Sequence, residues 1–333
     1  MKLKEISIPT IKTIPPIMQG REYLRPYHYD KYERIHLACI QSPWSHLEVG
    51  MKEDVIDWEE ATELTRIIIA GILRGFTLIE LGVGCYWRKV ADWFPHPEIS
   101  MLAATFSHQE TIHSRAYDHQ EATLGLETYE AFKQDETASR KFNHIMSRLE
   151  KEKDIATSLA IFSGGVEGVS LFSSFAILLS FTKEGKFKGN QQILSWSVNE
   201  ELTHSSTGIS LYHDLISEAP YMKPRKEDIY MGFDAIVENE MAFVENIFGQ
   251  YDVPTISKAE VTDFIRHRAN LKLMELKFPP KYKLDGNYRP VKQFFDTLRG
   301  KTMNDFFAQS RNGSAYTAML SENFEDCNFG MLI

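Results

Sequence analysis

Two segments of this chain, 110–113 and 201–204, carry the pattern Glu-x-x-His. Residues three apart lie on one face of an α-helix, so the carboxylate and the imidazole can bind one metal ion together. A third copy, at 33–36, lies in a polar, tyrosine-rich stretch and is predicted to be a surface pair. The pattern is weak by itself, because chance also produces it in a chain rich in glutamate.

The context of the other two copies strengthens it. Glu80 lies in an apolar stretch 30 residues before Glu110, and Glu167 lies in another 34 residues before Glu201. This spacing suits half a helix, a short loop and half an antiparallel helix, which places each pair at one depth in a bundle. A carboxylate on an apolar face is costly unless it is paired or bound to metal. The predicted ligands, typical of a ferritin-like dimetal bundle, are Glu80, Glu110, His113, Glu167, Glu201 and His204.

Four carboxylates with two imidazoles favour iron or manganese over zinc or copper. Two such ions bridged by carboxylates can bind and reduce dioxygen, which leaves three outcomes: metal storage, oxygenation of a substrate, or oxidation of a nearby residue. Tyr117 bears on this choice because it follows His113 by four residues, on the same helix face. It is either a site of one-electron oxidation or a core tyrosine with a satisfied hydroxyl.

Helical patterns dominate the chain, and no alternating strand pattern of any length occurs, so the predicted fold class is all-α. Residues 1–30 are rich in proline and tyrosine and are predicted to form an extended arm. A helical domain follows at 31–311, and a flexible tail at 312–333. Asp57 is the expected N-cap of the helix that carries Glu80, and Ser257 of a later one. The remaining predicted helices are 31–41, one from 97 through Tyr117, 127–149, 152–182, 191–217, 225–249 and 257–276.

Charge and composition narrow the partners and the compartment. The net charge of −9 without a basic block argues against nucleic acid. Three widely spaced cysteines predict a reducing compartment. The N-terminus lacks a signal-peptide core, and the longest apolar run, near 171–181, is too short for a bilayer. We therefore expect a cytoplasmic protein that does not bind a membrane.

The segment Glu-Thr-Ile-His-Ser-Arg-Ala-Tyr at 110–117 resembles the signature of the small (beta) subunit of class I ribonucleotide reductase. The order and spacing of the six predicted ligands are also similar to that family. By this resemblance Tyr117 is the radical tyrosine and Trp44 the tryptophan of the radical-transfer route. Glu200 takes a relay position where the family commonly has Asp, and Tyr316 is the tail tyrosine.

The resemblance implies a radical-generating subunit of ribonucleoside-diphosphate reductase. Its dimetal site would activate oxygen to oxidise Tyr117, and the radical would pass to a large (alpha) subunit that reduces ribonucleotides. Two iron ions are the first expectation, with manganese or mixed manganese and iron as alternatives, because Glu80 stands where many members have Asp. The subunit is expected to form a homodimer and to dock on the large subunit through its tail. Two other functions stay open: a ferritin-like oxidase that binds a lipid-like ligand, and a metal-storage protein.

Overall fold

The computed structural model describes residues 14–126, 155–249, 255–296 and 298. Within these ranges the protein is helical and contains no strand. The α-helices are α1 (Asp30–Ile40), α2 (Lys52–Glu60), α3 (Glu63–Trp93), α4 (Pro97–Thr123), α5 (Ile155–Ile161), α6 (Phe172–Ser180), α7 (Lys188–Glu218), α8 (Lys226–Phe248) and α9 (Lys258–Glu275). A π-helical segment, Phe162–Ser170, joins α5 to α6. The all-α prediction is confirmed, while the helix expected at 127–149 lies outside the described residues.

Helices α3 and α4 form the principal antiparallel pair. Thr62 caps α3, because its side chain accepts a hydrogen bond from the Thr65 backbone N–H. Pro97 occupies the first turn of α4, where its missing N–H costs nothing. The prediction that Asp57 caps this helix was wrong. Asp57 lies inside the separate helix α2, and its carboxylate instead accepts from the Phe187 backbone N–H.

The second pair of long elements is the run α5–π–α6 against α7. Every residue from 156 to 182 is buried or nearly so, apart from two partly exposed positions near its start. Asp54 on α2 caps the start of α7, since its two oxygens accept from the Gly189 and Asn190 backbone N–H groups at 2.8 and 2.7 Å. A carboxylate at a helix N-terminus is favoured by the helix dipole. Helix α2 therefore anchors the start of α7.

Helices α8 and α9 cover the far side of the π segment. Ser257 and Glu260 form a capping box at the start of α9, as the sequence predicted for Ser257. Gly232 of α8 allows close approach, because a Cβ there would lie 2.4 Å from the Ile161 side chain. The two helices thereby complete the burial of α5 and the π segment.

Two helical stretches, Glu63–Trp93 and Ile155–Ser180, are long and apolar enough to cross a membrane. Their most apolar windows are 71% and 100% buried inside the protein, which is the position of core helices. Among the residues of the predicted arm, 14–29 contain only a short 3-10 turn at Pro16–Met18. They are held to the bundle by Glu98, which accepts from the His28 and Tyr29 backbone N–H groups.

Candidate metal centre

Three long elements and the π segment each direct acidic or imidazole side chains into the middle of the bundle. Helix α3 supplies one glutamate, the π segment another, and α4 and α7 each supply a Glu-x-x-His pair. All six side chains are at most 1% exposed, and they are Glu80, Glu110, His113, Glu167, Glu201 and His204. The six residues singled out from the sequence thus meet in one buried cluster.

The cluster divides into two overlapping groups whose ligand atoms lie within 4.8 Å of one another. The first consists of Glu80, Glu110, His113 and Glu201, and the second of Glu110, Glu167, Glu201 and His204. Glu110 and Glu201 belong to both. Each group therefore offers three carboxylates and one imidazole, with two carboxylates placed to bridge.

The donor atoms fit a pair of cations. Both oxygens of Glu80, both of Glu201 and Oε2 of Glu167 are buried without a hydrogen-bond partner among the described residues. Each unpaired charge that is buried lowers the free energy of unfolding by roughly several kcal/mol. Nδ1 of His113 lies 3.0 Å from Glu110 Oε2, and Nδ1 of His204 lies 2.7 Å from Glu110 Oε1. Oxygen and nitrogen donors in this mixture suit iron or manganese.

The pKa values of the buried side chains also indicate that this cluster binds positive charge. Burial, and then the Glu201 and Glu110 charges, raise the pKa of Glu80 and of Glu167 well above the ordinary value. Burial disfavours the charged form of His204, but contacts with Glu110 and Glu201 outweigh it and raise the pKa to about 9. Protons in the metal-free protein thus balance charge that metal ions would balance when bound.

The π segment determines how Glu167 enters the cluster, and the sequence analysis did not predict it. Nine residues follow the wider π geometry, which occurs often at functional sites. Gly164, Gly165 and Gly168 surround Glu167 in the chain and let α8 and α9 side chains approach closely. This concentration of glycine was the signal available. The Trp87 indole N–H donates to Glu167 Oε1 at 2.6 Å, a contact that no spacing rule predicts.

Tyr117 lies beside the first group in an aromatic pocket. Its ring centroid is 4.8 Å from that of Phe76 and 6.5 Å from that of His113, and the residue is fully buried. Its hydroxyl has no hydrogen-bond partner among the described residues. Burial, and next the Glu80 charge, raise the pKa of Tyr117 well above its ordinary value, against smaller opposing effects from His113 and then Ser197. The phenol is therefore neutral and shielded from water.

Glu200 connects the cluster to Trp44. Its Oε2 accepts from Trp44 Nε1 at 3.0 Å and from His113 Nε2 at 2.7 Å. Its Oε1 accepts from Gln109 Nε2 at 2.6 Å, a partner that the sequence analysis missed although it directly precedes Glu110. The Trp44 and His113 rings also stack with centroids 5.9 Å apart. Trp44 and Glu200 are thus hydrogen-bonded to each other and, through His113, to the cluster, while their relay roles stay predictions.

Two other predictions have different outcomes. Tyr316 and the tail at 312–333 lie outside the described residues, so their roles stay predictions. The expected surface pair at 33–36 is not freely exposed. Glu33 is only 8% exposed and accepts from the Tyr27 hydroxyl, while His36 Nδ1 lies 3.6 Å from it. Burial by the preceding chain, which a local pattern cannot show, accounts for the difference.

Comparison with known proteins agrees with this geometry. The family described as "Ribonucleotide reductase, small chain" matches residues 21–290. A protein of Invertebrate iridescent virus 6, "Probable ribonucleoside-diphosphate reductase small subunit 376L", is 30% identical over 71% of this chain and 72% of its own length. The Bacillus subtilis "Ribonucleoside-diphosphate reductase subunit beta" is 23% identical over 87% of this chain and 90% of its own length.

Solved structures show the same fold. A putative class I ribonucleotide reductase from Bacillus halodurans superposes with a TM-score of 0.72 at 16% identity, over 82% of this chain and 99% of that one. The dimanganese(II) NrdF protein of Streptococcus sanguinis gives 0.69 at 17% identity, over 83% and 99%. Because the family match spans most of the sequence and includes the buried cluster, this chain belongs to the ribonucleotide reductase small-chain family.

Proposed function

We propose that this chain generates and stores the radical of a ribonucleoside-diphosphate reductase on Tyr117, beside two metal ions held by the six buried residues. Its function as the small subunit follows from the family; the residue roles are the proposal. One observation carries them: both Glu-x-x-His pairs and both lone glutamates meet in one buried cluster next to a shielded phenol. The two alternatives, a lipid-binding oxidase and a storage protein, are not favoured, because the curated relatives are reductase subunits.

The residues around the metal pair bind and orient it. Glu110 and Glu201 lie in both groups and would each be able to contribute to both ions, while each imidazole faces one group through Nδ1. When bound there, two iron or manganese ions would supply oxygen-activating redox chemistry, with dioxygen as the oxidant that accepts the electron from the phenol. Trp87 holds Glu167 by a 2.6 Å hydrogen bond and so limits the ways in which this carboxylate can bind.

Tyr117 is suited to keep a radical because its surroundings exclude water and reductants. The ring lies against Phe76, which in turn lies against Phe175 with centroids 5.0 Å apart. All three are at most 1% exposed. When the electron leaves, the phenol proton must pass to a base, and the cluster carboxylates, of which Glu80 acts most strongly on this phenol, supply one. An apolar cage of this kind supports a long radical lifetime.

Trp44, Glu200 and His113 form the proposed first part of the route out of the site. The indole N–H and the imidazole N–H share one carboxylate oxygen, so electron and proton movement can be linked along three hydrogen-bonded groups. Tyr316 is proposed as the next relay, near the large subunit.

This chain is proposed to act as a homodimer in the cytoplasm and to dock on the large subunit through residues 317–333. It is proposed to need neither nucleic acid nor a membrane.

Electron paramagnetic resonance of activated protein tests the central role. We expect a tyrosyl radical signal in the natural protein and its loss in Tyr117→Phe, with unchanged metal content. Glu110→Ala should lose most bound metal while the circular dichroism stays helical. Normal nucleotide reduction by Tyr117→Phe with the large subunit would refute storage on this residue, and two bound metals per chain in Glu110→Ala would refute the ligand assignment.

The metal itself is proposed to be iron first, with manganese or a mixed pair as the alternatives. The solved dimanganese relative from Streptococcus sanguinis supports including manganese. Separate loading with Fe²⁺ and with Mn²⁺, followed by activity assay, decides between them, and we expect activity under one loading only.

Deleting residues 317–333 should keep the bound metal and the radical but abolish turnover with the large subunit. Turnover at the natural rate would refute docking by the tail.

A further inference from the structure

Gln109 joins two parts of the proposed centre, the Trp44–Glu200–His113 route and His204, which also meet through the Glu110 carboxylate. It lies on α4 directly before Glu110 and is 6% exposed. Its Nε2 lies 2.6 Å from Glu200 Oε1, and its Oε1 lies 3.0 Å from His204 Nε2. Hydrogen bonds sheltered from water are stronger electrostatically than exposed ones. One carboxamide thus connects the Trp44–Glu200–His113 route with the second imidazole.

The chemistry of the three groups fixes the direction of these bonds. An ionised carboxylate only accepts hydrogen bonds, so the amide nitrogen of Gln109 must face Glu200. The amide carbonyl then faces His204, and Nε2 of that ring must carry the hydrogen. In the neutral ring this leaves the Nδ1 lone pair directed at the cluster, where Glu110 Oε1 lies 2.7 Å away.

The two imidazoles differ in the group that accepts a hydrogen bond from Nε2. His113 Nε2 donates to the Glu200 carboxylate at 2.7 Å, whereas His204 Nε2 donates to a neutral amide. A carboxylate partner increases the basicity of a metal-binding imidazole more than a neutral carbonyl does. The two groups have the same ligand types, three carboxylates and one imidazole each. The hydrogen-bond partner of the imidazole Nε2 is therefore a structural difference between the two groups.

We infer that Gln109 is a positioning residue that fixes the Nε2–H form of His204, holds Glu200 against Trp44, and makes the His204 subsite the weaker of the two. This rests on the proposed function, in which the six buried residues bind two metal ions. Gln109 is not one of the six proposed ligands and acts through its hydrogen bonds to Glu200 and His204; its side chain also contacts the Cys39 thiol.

Titration of the full chain with Mn²⁺, followed by electron paramagnetic resonance, tests the inference. The natural protein should bind two ions in two unequal steps. In Gln109→Met, which keeps the size but loses the amide, the weaker step should lose roughly 10–100-fold in affinity and the stronger step should change far less. Gln109→Glu keeps an oxygen facing His204 and makes it a carboxylate, like the one behind His113, so the weaker step should be at least as tight as in the natural protein. Gln120→Met alters a fully buried glutamine on the same helix and should match the natural protein.

Nitrogen-15 resonance of histidine-labelled, Zn²⁺-loaded protein gives a readout independent of activity. The Nε2–H signal of His204, identified by its absence in His204→Gln, should be present in the natural protein and in Gln109→Glu. It should be shifted or exchange-broadened in Gln109→Met. If that variant does not fold, the Glu variant still decides, because loss of the signal there overturns the inference.

Equal weakening of both steps in Gln109→Met, or no weakening of either, would also overturn the inference. Failure of the natural protein to bind two Mn²⁺ ions would instead overturn the proposed function. The two failures are therefore distinguishable.

Discussion

Gly208→Ala tests whether the close approach of α7 to the π segment assembles the metal centre. Gly208 lies one turn after His204 on α7, and a Cβ there would lie 2.0 Å from Ser163 Oγ and 2.6 Å from Ser163 Cβ. Both atoms belong to the buried element that carries Glu167. Ordinary contact needs about 3.4 Å or more, so the helix and the π segment must separate by roughly 1 Å or distort.

The expected magnitude follows from two opposing terms. Replacing glycine by alanine in a helix interior stabilises by about 1 kcal/mol. Overpacking a well-filled core costs about 1–3 kcal/mol. We expect a net destabilisation of about 0–2 kcal/mol, together with a larger relative loss of metal binding, because Glu167 and His204 move apart.

The assay measures thermal unfolding of metal-free protein and Mn²⁺ affinity for three variants. Gly75→Ala is the matched control, because a Cβ there meets nothing within 4 Å, and it should stabilise by about 1 kcal/mol. Gly208→Ala combined with Ser163→Gly removes the clashing side chain and should restore metal affinity. Gly208→Ala that behaves like Gly75→Ala in both measurements would refute the packing argument.

Three further predictions concern the site. Glu200→Asp retracts the carboxylate by about 1.5 Å, which breaks the 3.0 Å hydrogen bond to Trp44. Steady-state turnover with the large subunit should fall roughly 10–100-fold, while two metal ions still bind. Unchanged turnover would contradict the relay role of Glu200. Trp87→Phe leaves Glu167 without its donor, so the unfolding free energy should fall by about 1–3 kcal/mol, checked by denaturant titration; no change would show that the bond is not stabilising. The pKa of His204 is raised to about 9 in the metal-free protein, so metal binding at neutral pH must displace its proton. Metal affinity should therefore increase with pH up to about 9, and a pH indicator dye should record proton release on binding. A metal affinity that does not depend on pH would contradict this.

Several features of the site follow from short stretches of sequence. A helix repeats every 3.6 residues, so the spacing within Glu-x-x-His and from His113 to Tyr117 fixes which side chains share a face. The capping box at Ser257 is equally local. A buried carboxylate must find a cation or a donor, so a glutamate in an apolar run already indicates a site. Residue type and local spacing were therefore enough to identify the cluster.

The start of α3 shows where local evidence was insufficient. Asp57 has the sequence features of an N-cap, but the chain forms a short separate helix first and Thr62 caps the next one. Asp57 is used instead by the Phe187 backbone N–H, a partner 130 residues away. Several residues near a helix start can serve as caps, and the choice depends on which distant backbone groups need an acceptor.

The connections between elements were decided by tertiary structure alone. Trp87 reaches Glu167 across 80 residues of sequence, and Gln109 reaches His204 across 95. Neither contact has a sequence signature, because it depends on the relative rotation and translation of two helices, which side-chain packing sets. The π segment likewise adds one residue per turn locally and changes the direction of Glu167 without changing the residue types. The sequence by itself determined which side chains could bind metal, and packing between the helices decided which groups hold them in place.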